Sequence, residues 1–205
     1  MFPHTITYTR NRNAYIRVSP EGTVLFTIPQ RCKHNEKFVQ KLMEKGEKMW
    51  IRHQARPKVE KWNEEGVMLF GEWVSWEETG GLQTMVPSIG KISKDSRRFE
   101  KKLKEILYEY SKEWLDIFSE KLGKKYQSLT IRKAKSRRGS CSHDQKIMLN
   151  LALVYLPRTH IQYVIAHETA HLVEKNHSSD FWELVKKLFP DYQAVRKSLK
   201  NMVLD

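Results

Sequence analysis

The sequence predicts an α+β protein with a strand-rich first part, residues 1–92, and a helix-rich second part, residues 93–205. Three observations carry this. Apolar residues alternate with period two near the start of the chain, as on a half-buried strand. They recur at three and four beyond residue 95, as on helices packed by one face. The composition shifts between these patterns near residue 90.

Ala14-Tyr15-Ile16-Arg17-Val18 alternates, Ser19-Pro20-Glu21-Gly22 supplies turn residues, and Thr23–Ile28 forms the return strand. Arg10, Arg12 and Arg17 make this ribbon basic. Asn35 is placed to cap a helix carrying Phe38, Val39, Leu42, Met43, Met49 and Trp50, which ends before Pro57. Gly46 lies inside it at some cost in helix propensity. Residues 66–76 read as a hairpin about Gly71, followed by a loop from Glu77 to Gly81. Residues 95–122 form the longest helix, with an apolar stripe from Phe99 to Phe118, a cap at Asp95 or Ser96, and an end at Gly123. Strands are expected at 127–133 and 145–154, flanking the polar segment Ser136–His143. Three helices complete the chain. One starts near Pro157, one is capped by Ser178 or Ser179 and stops at Pro190, and one runs from about Asp191 to Met202.

The chain has 205 residues and a net charge of +13. No apolar run approaches the roughly 18–20 residues of a membrane span. Met1-Phe2-Pro3-His4 lacks the basic-then-apolar pattern of a signal peptide, so a cytoplasmic location is expected. Cys32 and Cys141 are the only cysteines and are expected to be free thiols. Nine basic residues and one acidic residue fall between Lys121 and Lys146. Such a run is either a solvated face or a contact for a polyanion such as nucleic acid.

The chemistry concentrates in His167-Glu168-Thr169-Ala170-His171, followed by Asn176-His177. Two His residues four apart on a helix lie about 5–6 Å apart at Cβ and reach one small cation. Neutral imidazoles hold Zn²⁺ at about 2.0–2.1 Å. His177 would lie roughly 15 Å beyond His167 on a continuous helix. It becomes a third metal ligand if the chain turns back, for which Asn176 in a left-handed conformation is suited. If the helix continues, Glu174 replaces it as candidate ligand. Glu174 is otherwise a partner for a ligating His. Glu168 lies about 100° further round the helix than His167, near the apolar stripe of Ile161, Val164, Ile165 and Leu172. Desolvation there raises a carboxyl pKa, which suits a general base near neutral pH. The helix is expected to be buried nearly all round.

Gly139-Ser140-Cys141-Ser142, Ile147-x-Leu149-Asn150, the His-Glu-x-x-His segment, and Asn176-His177-Ser178 with Phe181-Trp182 occur in order. In these motifs the chain resembles the YgjP-like family of zinc metallopeptidases, relatives of the SprT-like proteases. The resemblance covers most of the chain and implies a zincin-like core. It matches His167, His171 and His177 to metal ligands and Glu168 to the catalytic carboxylate. The sequence departs from the family at Arg138, where a Trp usually precedes Gly-Ser-Cys. It departs from metzincins, which share the His167-to-His177 spacing, by carrying Glu174 in place of a Gly.

The expected reaction is zinc-assisted hydrolysis of a polypeptide, with residues 145–150 pairing to the extended substrate. His143, Arg138 and Tyr192 are candidates for stabilising the oxyanion. Cys141 beside His143 and Asp144 reads as structural, because catalytic Cys–His pairs form in space and not along the sequence. The rival reading is a nucleic-acid-binding protein with a structural zinc, or a protease acting near DNA. Glu168 argues against a purely structural site, since such sites usually have four protein ligands and no need of a base.

Overall fold

A computed structural model describes residues 2–19, 21–55, 61–80, 82, 94–134, 137–200 and 202, with 94–96 described in backbone only. The chain divides into two compact units, Met1–Lys58 and Val59–Leu204. Each is described by itself. The expected boundary at 92/93 falls within the segment 83–93, which is not among the described residues. The packing divides the chain earlier, because Val67, Trp76 and Leu82 join the core of the second unit.

In the first unit, β1 (His4–Thr9), β2 (Tyr15–Val18) and β3 (Val24–Pro29) form a sheet in the order β1-β3-β2. β2 and β3 form the expected hairpin, and β1 runs parallel to β3 on its other side. Val24, Phe26 and Ile28 alternate inward and are fully buried, with α1 (Glu36–Gln54) packed on them. The Asn35 side chain accepts the Phe38 N–H at 3.0 Å, which caps α1 as expected. Gly46 has a packing reason. The Phe26 ring occupies the space that a Cβ there would need.

In the second unit, β4 (Gly66–Leu69) and β5 (Glu72–Ser75) form a hairpin. Its two turn residues, Phe70 and Gly71, have φ of 55° and 82°, the left-handed pair of a tight hairpin turn. Phe70 N–H donates to the Val154 carbonyl, and Gly71 lies against Pro157 too closely for a side chain. α2 (Lys94–Lys121) ends at Gly123, φ 60°, where Lys124 N–H reaches back to the Ser119 carbonyl. Whether Asp95 or Ser96 caps its start lies outside the described side chains.

β6 (Ser128–Arg132), β7 (Gly139–Cys141) and β8 (Lys146–Asn150) form a second sheet in the order β6-β8-β7. β6 is parallel and β7 antiparallel to β8. Two expectations change here. The strand expected over 145–154 stops at Asn150, and Leu151–Tyr155 is a 3-10 helix. The Asn150 carboxamide oxygen accepts Ala152 N–H and starts that helix, a local alternative to the ladder. The polar segment expected between strands itself contributes β7, so β8 is central.

α3 (Arg158–Ala170) packs against α2, the second sheet, α4 (Ser179–Leu188) and α5 (Tyr192–Lys200). Eight of its thirteen residues are buried, from Ile161 to Ala170. Its half-buried Gln162 donates to the Tyr110 hydroxyl at 2.8 Å. This is the nearly all-round burial expected of it. Among the described residues no helix is long and apolar enough to cross a membrane.

Candidate metal centre and active site

The turn after α3 decides whether His177 meets His167 and His171. α3 stops at Ala170, with His171 as a right-handed C-cap. Leu172 N–H donates to the Thr169 carbonyl, and Val173 and Glu174 N–H both donate to that of Ala170. The chain thus tightens immediately after the second His. No left-handed residue is needed, because the positive-φ residues other than glycine are Phe70 and Gln145 among those described. Asn176 acts differently from expectation. Its side-chain oxygen accepts the Ser178 N–H at 2.9 Å, in a turn ahead of α4. Ser178 then caps α4 by accepting Phe181 N–H.

The result is convergent. One ligating atom from each of His167, His171 and His177 lies within 4.8 Å of the others. His167 Nε2 and His177 Nε2 are 3.1 Å apart. Three ring nitrogens around one ion at about 2.0–2.1 Å would sit about 3.3–3.4 Å apart, close to this arrangement. The fully buried Phe181 ring contacts all three imidazoles, at centroid distances of 4.9, 4.5 and 4.7 Å. Trp182 flanks His167 and His177 at 5.9 and 5.8 Å. An imidazole taken out of water this way is disfavoured in its charged form. Burial, then the charges of His171 and His177, push His167 down to about 3. Burial also lowers His171. Neutral rings with facing lone pairs are what a metal ion requires.

Glu174 takes part through its backbone. His171 Nδ1 lies 2.9 Å from the Glu174 carbonyl, which can only accept. The ring proton therefore sits on Nδ1 and leaves Nε2 for the ion. The Glu174 carboxylate is not among the converging groups. The donor set thus fits one small cation with a fourth position left for another ligand.

Glu168 is 6% exposed, and burial pushes its carboxyl up to about 8, the direction expected from the sequence. Its neighbour is β7. A Cβ at Gly139 would meet the Glu168 carboxyl, its Oε1 at 2.6 Å. Gly139 thus makes room for the carboxyl, which explains a glycine in a strand. Asn150 fixes the approach to β7. Its amide donates to the Ala134 and Arg137 carbonyls, both at 2.8 Å. Sequence reasoning assigned no such role to Phe181, Gly139 or Asn150. Their signal was their place in the ordered motifs.

The other candidates lie elsewhere or are otherwise engaged. Arg138 Nη2 donates to the Leu199 and Met202 carbonyls, tying the end of α5. Tyr192 is stacked on Trp182, 5.5 Å between centroids. His143 is exposed in the turn between β7 and β8. His160 is half-buried in α3 with Nε2 3.1 Å from the Ser198 hydroxyl. Both cysteines are free. Burial raises the Cys141 thiol, the wrong direction for a nucleophile. The pairing expected of residues 145–150 with a substrate is blocked along β8, because β6 and β7 occupy both of its edges. The basic run 121–146 is partly neutralised: Lys133 pairs with Glu100 and Lys146 with Asp144.

A sequence profile of the YgjP-like metallopeptidase domain matches residues 12–202. The protein is of the metallopeptidase class, which implies a bound metal and a polypeptide substrate. It belongs to the YgjP-like family. It is also similar to the metallopeptidase zymogen of Pyrococcus abyssi abylysin. The identity is 30% over 45% of this chain and 99% of that one, with a TM-score of 0.40. No curated protein matches the chain.

Proposed function

We propose that this protein is a zinc-dependent peptidase with a zincin-like core, in which His167, His171 and His177 hold the ion and Glu168 is the general base. The observation that carries the reading is the convergence of three imidazoles, at the end of α3 and in the turn after it, beside the buried carboxyl of α3. When bound, the ion supplies Lewis-acid polarisation of the scissile carbonyl and makes the attacking water more acidic. Glu168 accepts the proton of that water and hands it to the leaving amine. Its raised pKa makes the carboxylate a stronger base for taking that proton. Phe181 holds the three rings together, and the Glu174 carbonyl sets the His171 tautomer. The outer edge of β7 has no strand partner among the described residues. An extended substrate would pair there by strand addition, next to Glu168.

Glu168→Gln tests the assignment. It keeps the shape of the side chain and removes the base. Zinc content, measured by mass spectrometry, should stay stoichiometric, while hydrolysis of an unfolded protein substrate falls by at least about 10²-fold. Hydrolysis that persists in the Gln variant would sink the mechanism.

A further inference from the structure

A cavity of about 270 Å³ opens against His167 and Glu168, and its wall is basic. Arg137 and Arg138 reach it from the approach to β7, and Arg196 and Lys200 from α5. Glu168 is the one carboxyl in the lining. Arg138 is committed to the end of α5. For Arg137, Arg196 and Lys200, no carboxylate lies within ion-pair distance among the described residues. Arg196 is held in place, its guanidinium carbon 4.1 Å from the centre of the Trp182 ring, which stacks in turn on Tyr192. A guanidinium fixed on an aromatic face loses little further freedom on meeting an anion, and its fork suits a carboxylate.

Size and position narrow the occupant. Ligand pockets span about 300–1,000 Å³, so this one is small and takes a side chain sooner than a large ligand. It adjoins the groups proposed to act on the scissile bond. Resting on that reading, we infer that the cavity is a specificity subsite for a carboxylate of the peptide substrate beside the scissile bond, recognised by Arg137, Arg196 and Lys200. The carboxylate is either that of an Asp or Glu side chain or the C-terminus of the chain. A nucleic-acid backbone is the poorer fit, because it needs a track of cations along a surface and this cluster is gathered in one small concavity walled by α3 and α5.

Two measurements test this. In the first, the zinc-loaded protein digests a mixed peptide library, and cleavage sites are read by mass spectrometry. Acidic residues should be enriched at one fixed position next to the cleaved bond. Enrichment confined to the last residue, and lost on C-terminal amidation, would assign the terminal carboxylate. R137E/K200E, a charge reversal at two exposed positions, should lower kcat/KM for a Glu-containing peptide at least about tenfold. It should also raise kcat/KM for the matching Lys-containing peptide. Cleavage with neither an acidic preference nor dependence on a free C-terminal carboxylate overturns the subsite and leaves the peptidase reading intact. In the second, zinc-loaded E168Q binds fluorescent Glu-containing and Lys-containing peptides, followed by anisotropy. Tighter binding of the Glu peptide, abolished by adding R137E/K200E, supports the subsite even if no hydrolysis is found. Equal binding of both peptides, or displacement of the Glu peptide by a single-stranded oligonucleotide at lower concentration than by a second acidic peptide, overturns it.

Discussion

His167 and Glu168 are neighbours in sequence, yet α3 delivers them into different surroundings. His167 enters an aromatic nest built from α4, with Phe181 and Trp182 against its ring. Glu168 enters a slot against the backbone of β7, where Gly139 leaves room for the carboxyl. Burial acts on both, in opposite senses: it pushes the imidazole down to about 3 and the carboxyl up to about 8. Each is thereby held neutral when no ion is bound. On the proposed roles, one helix separates holding a cation from moving a proton, through a rotation of about 100° per residue. Metal binding and hydrolysis should therefore be separable by mutation.

The largest effect is expected on the imidazole side. His167→Ala or His171→Ala should abolish stoichiometric zinc and all hydrolysis, since two remaining ligands rarely hold the ion. His177→Ala should weaken zinc, as titration with a competing chelator would show. Unchanged affinity in His177→Ala would remove it from the donor set. Phe181→Ala comes next. It opens a void under all three rings, and stability should fall by about 3–5 kcal/mol, read by urea unfolding, with weaker zinc as well. Gly139→Ala addresses the carboxyl side alone. A methyl group there displaces Glu168, so hydrolysis should fall by about 10–100-fold, a cost typical of a misplaced catalytic group, with zinc retained. Zinc loss in Gly139→Ala would show that the two sides are not independent.

The smallest effect is a pH profile of the metal-stripped protein. Glu168 is raised from its ordinary 4.5 to about 8, so the stability it confers is full below 4.5 and is lost as pH rises towards 8. His167 is lowered from 6.5 to about 3, so its contribution is full above 6.5 and is lost as pH falls towards 3. Between them the melting temperature should peak at mildly acidic pH. Each limb has a slope of at most about 1.4 kcal/mol per pH unit. Glu168→Gln should flatten the alkaline limb and leave the acid limb in place. An alkaline limb that survives the substitution would assign it to another group.

Much of this was legible in the sequence, for local reasons. The cap at Asn35, the hairpin turn at Gly71, the helix end at Gly123 and the periodicity of α2 and α3 depend on residues close together in the chain. The spacing from His167 to His177 was legible too, although the turn between them was not, since backbone hydrogen bonds to Thr169 and Ala170 make it instead of a special residue. The run Leu151–Tyr155 was misread because a short apolar run is the same for a strand and for a buried 3-10 helix. The side chain of Asn150 decided it. The order β6-β8-β7 was hidden by the brevity of β7, three residues with no strand signal. Charge gave the clearest contrast. The linear run 121–146 drew attention and supplies Arg137 and Arg138 to the basic cavity, but Arg196 and Lys200 come from α5, and no pattern along the chain joins the two segments.

The hairpin tip at Phe70-Gly71 bears on how the molecule comes into being. It abuts Pro157 and donates a hydrogen bond to Val154, and Arg158 lies over the Phe70 ring, 4.9 Å from its centre. The start of the helix that carries the site is thus seated on a piece of chain made much earlier. A chain emerging from synthesis in N-to-C order presents the hairpin long before the helix that rests on it. The hairpin must wait with Val67 and Trp76 exposed until its partners arrive. Joining these distant segments requires closing a long loop, which slows folding. The centre can therefore assemble only after synthesis has passed α4, long after the hairpin has emerged.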